Sequence, residues 1–250
     1  MISKAQIKFI KSLGLLKFRQ KYDKFTAEGL KTVIEFVKSR KFKTEKVYIQ
    51  YEELQDKLSP WVSTVDVEMV TSIEMAQMTT FKTPSPILAV FSKNKESLHI
   101  PDLAVTKSIY LDDIQDPGNL GTILRVADWF GISHVMRSAG SADFYHPKVI
   151  QASMGSLCNL TLHNVSLKEM IAANPGIPVF GSFLDGPELR NHMFLPKNGI
   201  LIIGNEGHGI SKENEAFVTH RVSIDGDADR IAESLNAAIA CGILCHQWTR

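Results

Sequence analysis

The stretch "GILIIGNEGHGIS", residues 199–211, limits the fold of this chain more than any other. Between Gly199 and Gly204 every side chain is aliphatic, so the strand it predicts has no polar face to offer to water. A strand buried on both faces belongs in the middle of a parallel sheet, and parallel neighbours need crossover helices that cover both sides. The second half of the chain repeats the pattern. Strand-like runs ("SIYLDDI", "HVMRS", "IPVFGSF", "GILIIGN", "RVSID") alternate with helical ones ("GTILRVADWFG", "HPKVIQASMG", "SLKEMIAAN", "SKENEAFVT", "AESLNAAIACGILCHQW"). The expected class is α/β, with a mostly parallel sheet flanked by helices.

The first hundred residues read differently. Apolar residues recur at spacings of three and four from residue 3 to 40 (Ile7, Ile10, Leu13, then Leu30, Val33, Ile34, Val37), which predicts helix throughout. "KVYIQY" at 46–51 and "ILAVF" at 87–91 read as strands, and "EMVTSIEMAQMTTFKTPSP" between them as a helix running into a proline loop. The polar, proline-containing stretch 92–108 is the expected linker, giving a small α/β domain at 1–98 and a larger one at 99–250.

Residues 1–50 carry eleven Lys and two Arg against four Asp or Glu, a net of +9, while the whole chain of 250 residues is only +1; the remainder therefore sums to about −8. A basic segment on a mildly acidic body suits a polyanion such as nucleic acid, the alternative being a solvated lysine face. No apolar run approaches the roughly 18 residues of a membrane span, and the start does not read as a signal peptide. Three cysteines are too few for a disulfide framework, so the cytoplasm is the expected compartment.

Three clusters combine glycine with polar side chains. In "DPGNLGTILRVADWFG", 116–131, a Pro-Gly turn and a cap at Asn119 open an apolar helix near Leu120. Leu120, Ile123, Leu124, Ala127 and Phe130 form its expected buried face, and Arg125 shares the other with Gly118 and Gly121. A guanidinium near a helix start suits phosphate, unless it pairs locally with Asp128. In "GNEGHGIS" the glycines allow close backbone approach beyond a strand end, Glu206 can accept hydrogen bonds, and Ser211 caps a helix. In "ESLNAAIACG" Ser234 and Asn236 precede a helix of small residues. Neither G-x-x-x-x-G-K-[ST] nor G-x-G-x-x-G occurs, which disfavours a free-nucleotide enzyme. The carboxylates Asp225, Asp227 and Asp229 read as solvated, Cys241 and Cys245 as core, and Met69, Met75 and Met78 as core; no metal site is expected.

In order and content, "DDIQDPGNLGTILRVADWFG", "GNEGHGIS" and "ESLNAAIA", together with "HPKVIQASMGS", resemble the motifs of the SpoU (TrmH-like) RNA ribose 2′-O-methyltransferases of the SPOUT superfamily. The segment "KFRQKYDKFTAEGLKTVIE" resembles that family's ribosomal-protein-like RNA-binding domain. The resemblance implies S-adenosyl-L-methionine as methyl donor, a C-terminal trefoil knot, a homodimer with a shared active site, and RNA as substrate, with ribosomal RNA ahead of transfer RNA. It implies a catalytic set of Asn119, Arg125, Glu206, Ser234 and Asn236, with Glu206 bracing Arg125. It also implies an adenosyl pocket around Phe183, Leu184, Gly204, Gly209, Ile224 and Leu235. Where the family has a short turn before its third motif this chain has "SIDGDADRIAESLN", so that either Ile224 or Ile231 takes the corresponding position. A catalytically weak RNA-binding protein on the same fold is the competing expectation.

Overall fold

The computed structural model describes residues 2–58, 60–61, 65–93, 103, 105–184 and 196–249. In chain order its elements are α1 (Lys4–Ser12), α2 (Leu16–Tyr22), β1 (Lys24–Glu28), α3 (Leu30–Ser39), β2 (Lys43–Ile49), α4 (Glu53–Leu58), β3 (Val67–Met69), α5 (Ser72–Met78), β4 (Ile87–Ser92) and β5 (Lys107–Asp112). There follow α6 (Pro117–Trp129), β6 (His134–Arg137), α7 (Pro147–Ser153), β7 (Thr161–Asn164), α8 (Leu167–Ala173), β8 (Val179–Ser182), β9 (Gly199–Gly204), α9 (Lys212–Glu215), β10 (His220–Val222) and α10 (Ala237–Trp248).

The chain forms two compact units. The first is Met1–Ser97 together with Asp143–Cys158; the second is Leu98–Ala142 with Asn159–Arg250. Residues 143–158, which a division at 98 puts in the second domain, pack in the first unit instead. Most of the expected linker, 94–102 and 104, lies outside the described residues.

The first unit holds a four-stranded sheet in the order β1-β4-β2-β3, antiparallel except for the parallel pair β2 and β3. The helix expected across 3–40 is broken. Asp23 adopts a left-handed conformation at φ 48°, Gly29 sits at φ 92°, and between them Lys24–Glu28 pairs with β4. Phe25 of that strand meets Phe36, Phe42, Phe91 and Tyr145 at ring-centroid distances of 5.0 to 5.6 Å, a burial that outweighs helical periodicity. The other face carries Tyr48, Leu88 and Val90 against Ile10, Leu13, Met75 and Met78. Met69, expected in the core, is instead exposed on β3.

Arg19 is the largest fully buried side chain in this unit. Its Nε donates to Asp143 Oδ2 at 2.7 Å, and its Nη1 donates to the carbonyls of Leu13 and Gly14 at 3.0 and 2.9 Å. Lys41 Nζ donates to the Leu157 carbonyl, so residues 143–158 are held at both ends. Buried Glu28 accepts from the Thr79 hydroxyl at 2.9 and 2.7 Å.

The second unit is the expected parallel sheet, in the order β10-β8-β9-β5-β6-β7, parallel at every pairing. On β9, Ile200 and Ile202 pack with Leu167, Met170 and Ile210 on one face, leaving Leu201 and Ile203 for the other. Helices α6 and α10 pack against each other. β7, "TLHN", has no strand signature of its own and is fixed by pairing with β6. The register aligns Asp112 with Gly204 and Val222 with Ser182, so that β5, β9, β8 and β10 end side by side. Among the described residues no helix is long and apolar enough to cross a membrane.

Candidate active site

The loops leaving that row of strand ends, 183–184, 205–211 and the segment after 222, carry most of the sequence-predicted site residues, while Asn119 and Arg125 lie on α6, which follows the loop 113–116. The carboxyl edge of a parallel sheet is where ligands of such folds bind.

Helix α6 begins earlier than its sequence suggests. Pro117 occupies the first helical position, where its missing N–H costs nothing, and Asp116 Oδ1 accepts the N–H of Asn119 at 2.8 Å. Asp116, not Asn119, is therefore the cap. Asn119 is left with a free carboxamide, and it spans two other segments: Nδ2 donates to Glu206 Oε1 at 2.6 Å, while Oδ1 accepts from Asn236 Nδ2 at 2.9 Å. Asn236 is itself the cap of α10, its Oδ1 accepting from the N–H groups of Ala238 and Ile239 at 2.9 and 3.3 Å.

This capping fixes the polarity of the whole relay. With Oδ1 of Asn236 committed to the helix, only its Nδ2 faces Asn119; Asn119 must then accept there and donate onward to the carboxylate. Three motifs more than 110 residues apart in sequence at their extremes are thus joined in one directed chain ending on a negative charge. The expected contact between Glu206 and Arg125 is replaced by this one.

The glycine loop is shaped by close backbone approach. A Cβ on Gly204 would fall on the backbone of Gly209 and Ile210, and Gly209 sits at φ 68° with open space around it. Asn205 and Gly209 exchange both backbone hydrogen bonds at 2.9 Å, closing the loop on itself. Inside it Asn205 Oδ1 accepts from the N–H groups of Gly207 and His208 at 2.8 and 3.1 Å. Two side-chain contacts then tie the loop to β5: Asn205 Nδ2 donates to the Asp113 carbonyl, and the Ser211 N–H donates to Asp112 Oδ2, both at 2.8 Å. Ser211 caps α9 as expected. Asp112, Asp113 and Asn205 position this loop, yet sequence reading passed over them; the signal was a pair of acids directly after a buried strand, "YLDDI".

Arg125 is exposed on α6 and makes no ion pair or hydrogen bond among the described residues. Its local partner Asp128 instead accepts from Asn159 Nδ2 at 3.0 Å, which removes the i to i+3 pairing as an explanation of the arginine. Leu120, Ile123, Leu124 and Ala127 are buried as expected; Phe130 is only partly so, as the C-cap. Gly121, expected beside Arg125 on the open face, is buried.

Ser234 is exposed and not joined to the relay. Phe183 is half-buried: one ring face is covered by the Arg221 guanidinium, 3.5 Å from the centroid, and its N–H donates to the Val222 carbonyl. Leu184 and Leu235 are exposed apolar side chains, and Ile224 is half-buried directly beyond β10. Ile231 is 99% exposed, which favours Ile224 of the two candidate positions. Tyr110, on the strand leading into the site, is pushed up to about 12 by burial and stays neutral at ordinary pH. Among the described residues no group of three His, Cys, Asp or Glu is arranged to hold a metal. Cys241 and Cys245 lie buried on α10, and their mutual contact at 3.8 Å, together with burial, pushes the Cys241 thiol up.

Comparison with known proteins identifies the family. Residues 106–246 match the SpoU rRNA methylase family, and residues 4–89 match the MRM3-like substrate binding domain. The chain is 28% identical over 245 residues to the 23S rRNA (guanosine(2553)-2'-O)-methyltransferase RlmP of Bacillus subtilis, covering 96% of this chain and 94% of that one. A structure from Porphyromonas gingivalis assigned to the TrmH family of RNA methyltransferases superimposes with a TM-score of 0.84 at 39% identity, covering 99% of this chain and 98% of that one. An AdoMet-bound rRNA methyltransferase from Sinorhizobium meliloti gives 0.84 at 26% identity, with 99% and 95% covered. With more than half of its length matched by the family and its three motifs meeting at one sheet edge, this chain belongs to the SpoU rRNA methylase family.

Proposed function

We propose that this protein is an S-adenosyl-L-methionine-dependent RNA ribose 2′-O-methyltransferase acting on ribosomal RNA, and that Asn119, Arg125, Glu206, Ser234 and Asn236 serve the reaction. The observation that carries this reading is the directed relay Asn236–Asn119–Glu206, whose central residue stands on the same helix as Arg125, an exposed arginine with no ion pair or hydrogen bond among the described residues. The relay pins three loops in one geometry at no expense of the guanidinium, which stays available to a substrate anion.

The residues present suit the methyl donor. Gly204 leaves no room for a side chain, the loop from 207 to 209 exposes its backbone, and Leu184, Ile224 and Leu235 offer apolar surface for a flat base. When bound, S-adenosylmethionine supplies an electrophilic methyl group. Arg125 holds the phosphate of the reacting nucleotide and stabilises negative charge developing on its 2′ oxygen; being permanently protonated, it is not the base. The proton leaves to phosphate or water. Glu206 acts on the substrate through Asn119, whose orientation it fixes.

The same proposal includes a C-terminal trefoil knot, a homodimer with a shared site, a first domain (1–98) that binds RNA, a second (99–250) that carries the chemistry, and a cytoplasmic location. The dimer is supported by exposed Trp129 (83%) and Ile239 on the paired helices α6 and α10. The RNA-binding role is supported by the match of residues 4–89 and by the basic charge of this segment.

The test is transfer of labelled methyl from S-adenosylmethionine to ribosomal RNA, with the product mapped for 2′-O-methylation. Arg125→Ala should lower kcat by about a hundredfold or more with donor affinity unchanged. Arg125→Lys, which keeps charge without the fork, should fall in between. Transfer to a base atom, or undiminished turnover by Arg125→Ala, would overturn the proposal.

A further inference from the structure

The first 22 residues contain no Asp or Glu. They fold into α1 and α2, and there three aromatic rings are gathered: Phe9 meets Tyr22 edge-on at 5.1 Å, and Phe18 stacks on Tyr22 at 6.2 Å with an interplanar angle of 10°. A core-building cluster would be sealed, yet Tyr22 is 38% exposed and Phe9 and Phe18 are only half-buried. Cations cover the ring faces. Lys17 Nζ stands 4.9 Å from the centroid of Phe18, and Lys21 Nζ 5.3 Å from that of Tyr22. Lys8 adds a third exposed ammonium on α1.

We infer that this patch is a binding site for unpaired RNA, in which bases stack on Tyr22 and Phe18 while Lys8, Lys17 and Lys21 hold the intervening phosphates. The inference rests on the proposed RNA substrate and names the part of it that is recognised. Two observations select RNA over an anionic membrane. The Phe18 and Tyr22 rings lie parallel, a spacing element for stacked bases, and Lys17 and Lys21 sit over ring faces, while the exposed aliphatic surface beside them is limited to Leu15 and Leu16, too little for a membrane-inserting stripe. A duplex hides its base faces, so the patch prefers single strands. On binding, Lys17 and Lys21 move from ring to phosphate and the bases take their place. That exchange keeps the aromatic faces dry in the free protein.

The test uses the full chain and a fluorescent single-stranded RNA 12-mer, with the same sequence as a duplex, titrated by anisotropy over a range of salt. The single strand should bind more tightly. Tyr22→Leu should weaken it about tenfold or more while leaving the salt slope intact, and Tyr22→Phe should restore it. Replacing Lys8, Lys17 and Lys21 by Gln should reduce the slope by about 2. Equal affinity of Tyr22→Leu and the parent chain, equal loss on duplex, or a loss confined to phosphatidylserine vesicles would each overturn the inference; a thermal melt matching the parent excludes misfolding as the source of a positive result. Methyl transfer measured in parallel separates the two readings. Intact ribose methylation with Tyr22→Leu binding as the parent does removes the patch and keeps the function. A patch that behaves as stated in a chain that methylates no ribose removes the function and keeps the patch.

Discussion

Replacing Arg19 by methionine isolates the energetic role of the segment 143–158. The guanidinium is 1% exposed and the Asp143 carboxylate 12%, so the pair is buried and removing one member strands the other. Breaking such a pair costs about 3–5 kcal/mol, and the slight exposure of Asp143 puts the expectation near about 3. The carbonyls of Leu13 and Gly14 lose their donor as well. Replacing Asp143 by leucine in the same chain removes the stranded charge but not those two carbonyls, so the double variant should remain about 1–3 kcal/mol below the parent. Urea unfolding of the four chains of this cycle, followed by circular dichroism, should give a coupling of about 3 kcal/mol or more, since each single variant strands a buried partner that the double variant does not. A single-variant loss below about 1 kcal/mol, or coupling indistinguishable from zero, would refute the claim that this ion pair fastens the segment.

Three further outcomes are expected. Gly204→Ala drives a methyl group into the backbone of Gly209 and Ile210 and should cost about 1–3 kcal/mol with loss of methyl transfer, whereas Gly209→Ala meets open space and should cost only about 1–2 for its left-handed backbone; similar losses would contradict the close approach. Asn236→Ala removes both the cap of α10 and the donor to Asn119, and should destabilise by about 1 kcal/mol; Asn236→Asp keeps the cap but has no N–H to give Asn119, so kcat should fall in both variants, and parent-like kcat in Asn236→Asp would show that capping alone matters. Burial raises the carboxyl of Glu28 above its ordinary 4.5. The folded chain thus binds that proton more tightly than the unfolded one, and the associated stability is complete below about 4.5 and lost as pH rises through the folded value. Urea midpoints from pH 4 to 8 should show the parent losing ground to Glu28→Gln; parallel curves would exclude this.

How much was legible in the sequence depended on whether a residue's partner was local. "GILIIG" announced a central strand because burial on two faces leaves no polar position, and Ser211 announced its helix because capping acts over three residues. β1 was missed for the opposite reason. Its neighbours keep a helical period, and only pairing with β4 and the Phe25 cluster, all distant in sequence, make it a strand. At the site, residue identity is readable but partnership is not: the sequence allows either Asp116 or Asn119 as the cap and only the fold selects Asp116, and a carboxylate and a guanidinium invite pairing where the structure instead joins Glu206 to Asn119. The exposed positions of Ser234, Leu235 and Ile231 depend on a loop whose aspartates carry no periodic signal.

The inclusion of residues 143–158 in the first unit has a consequence for synthesis. A nascent chain that has emerged only as far as residue 97 lacks Asp143 for Arg19, Tyr145 for Phe25 and the Leu157 carbonyl for Lys41. At about 5–20 residues per second, translation of the missing stretch takes on the order of several seconds. During that interval a buried arginine and an aromatic cluster stand open, so the amino-terminal half is completed only after part of the parallel sheet has left the ribosome. The first unit therefore closes only after β5, α6 and β6 of the second have been made, while the second still waits for its remaining strands and α10.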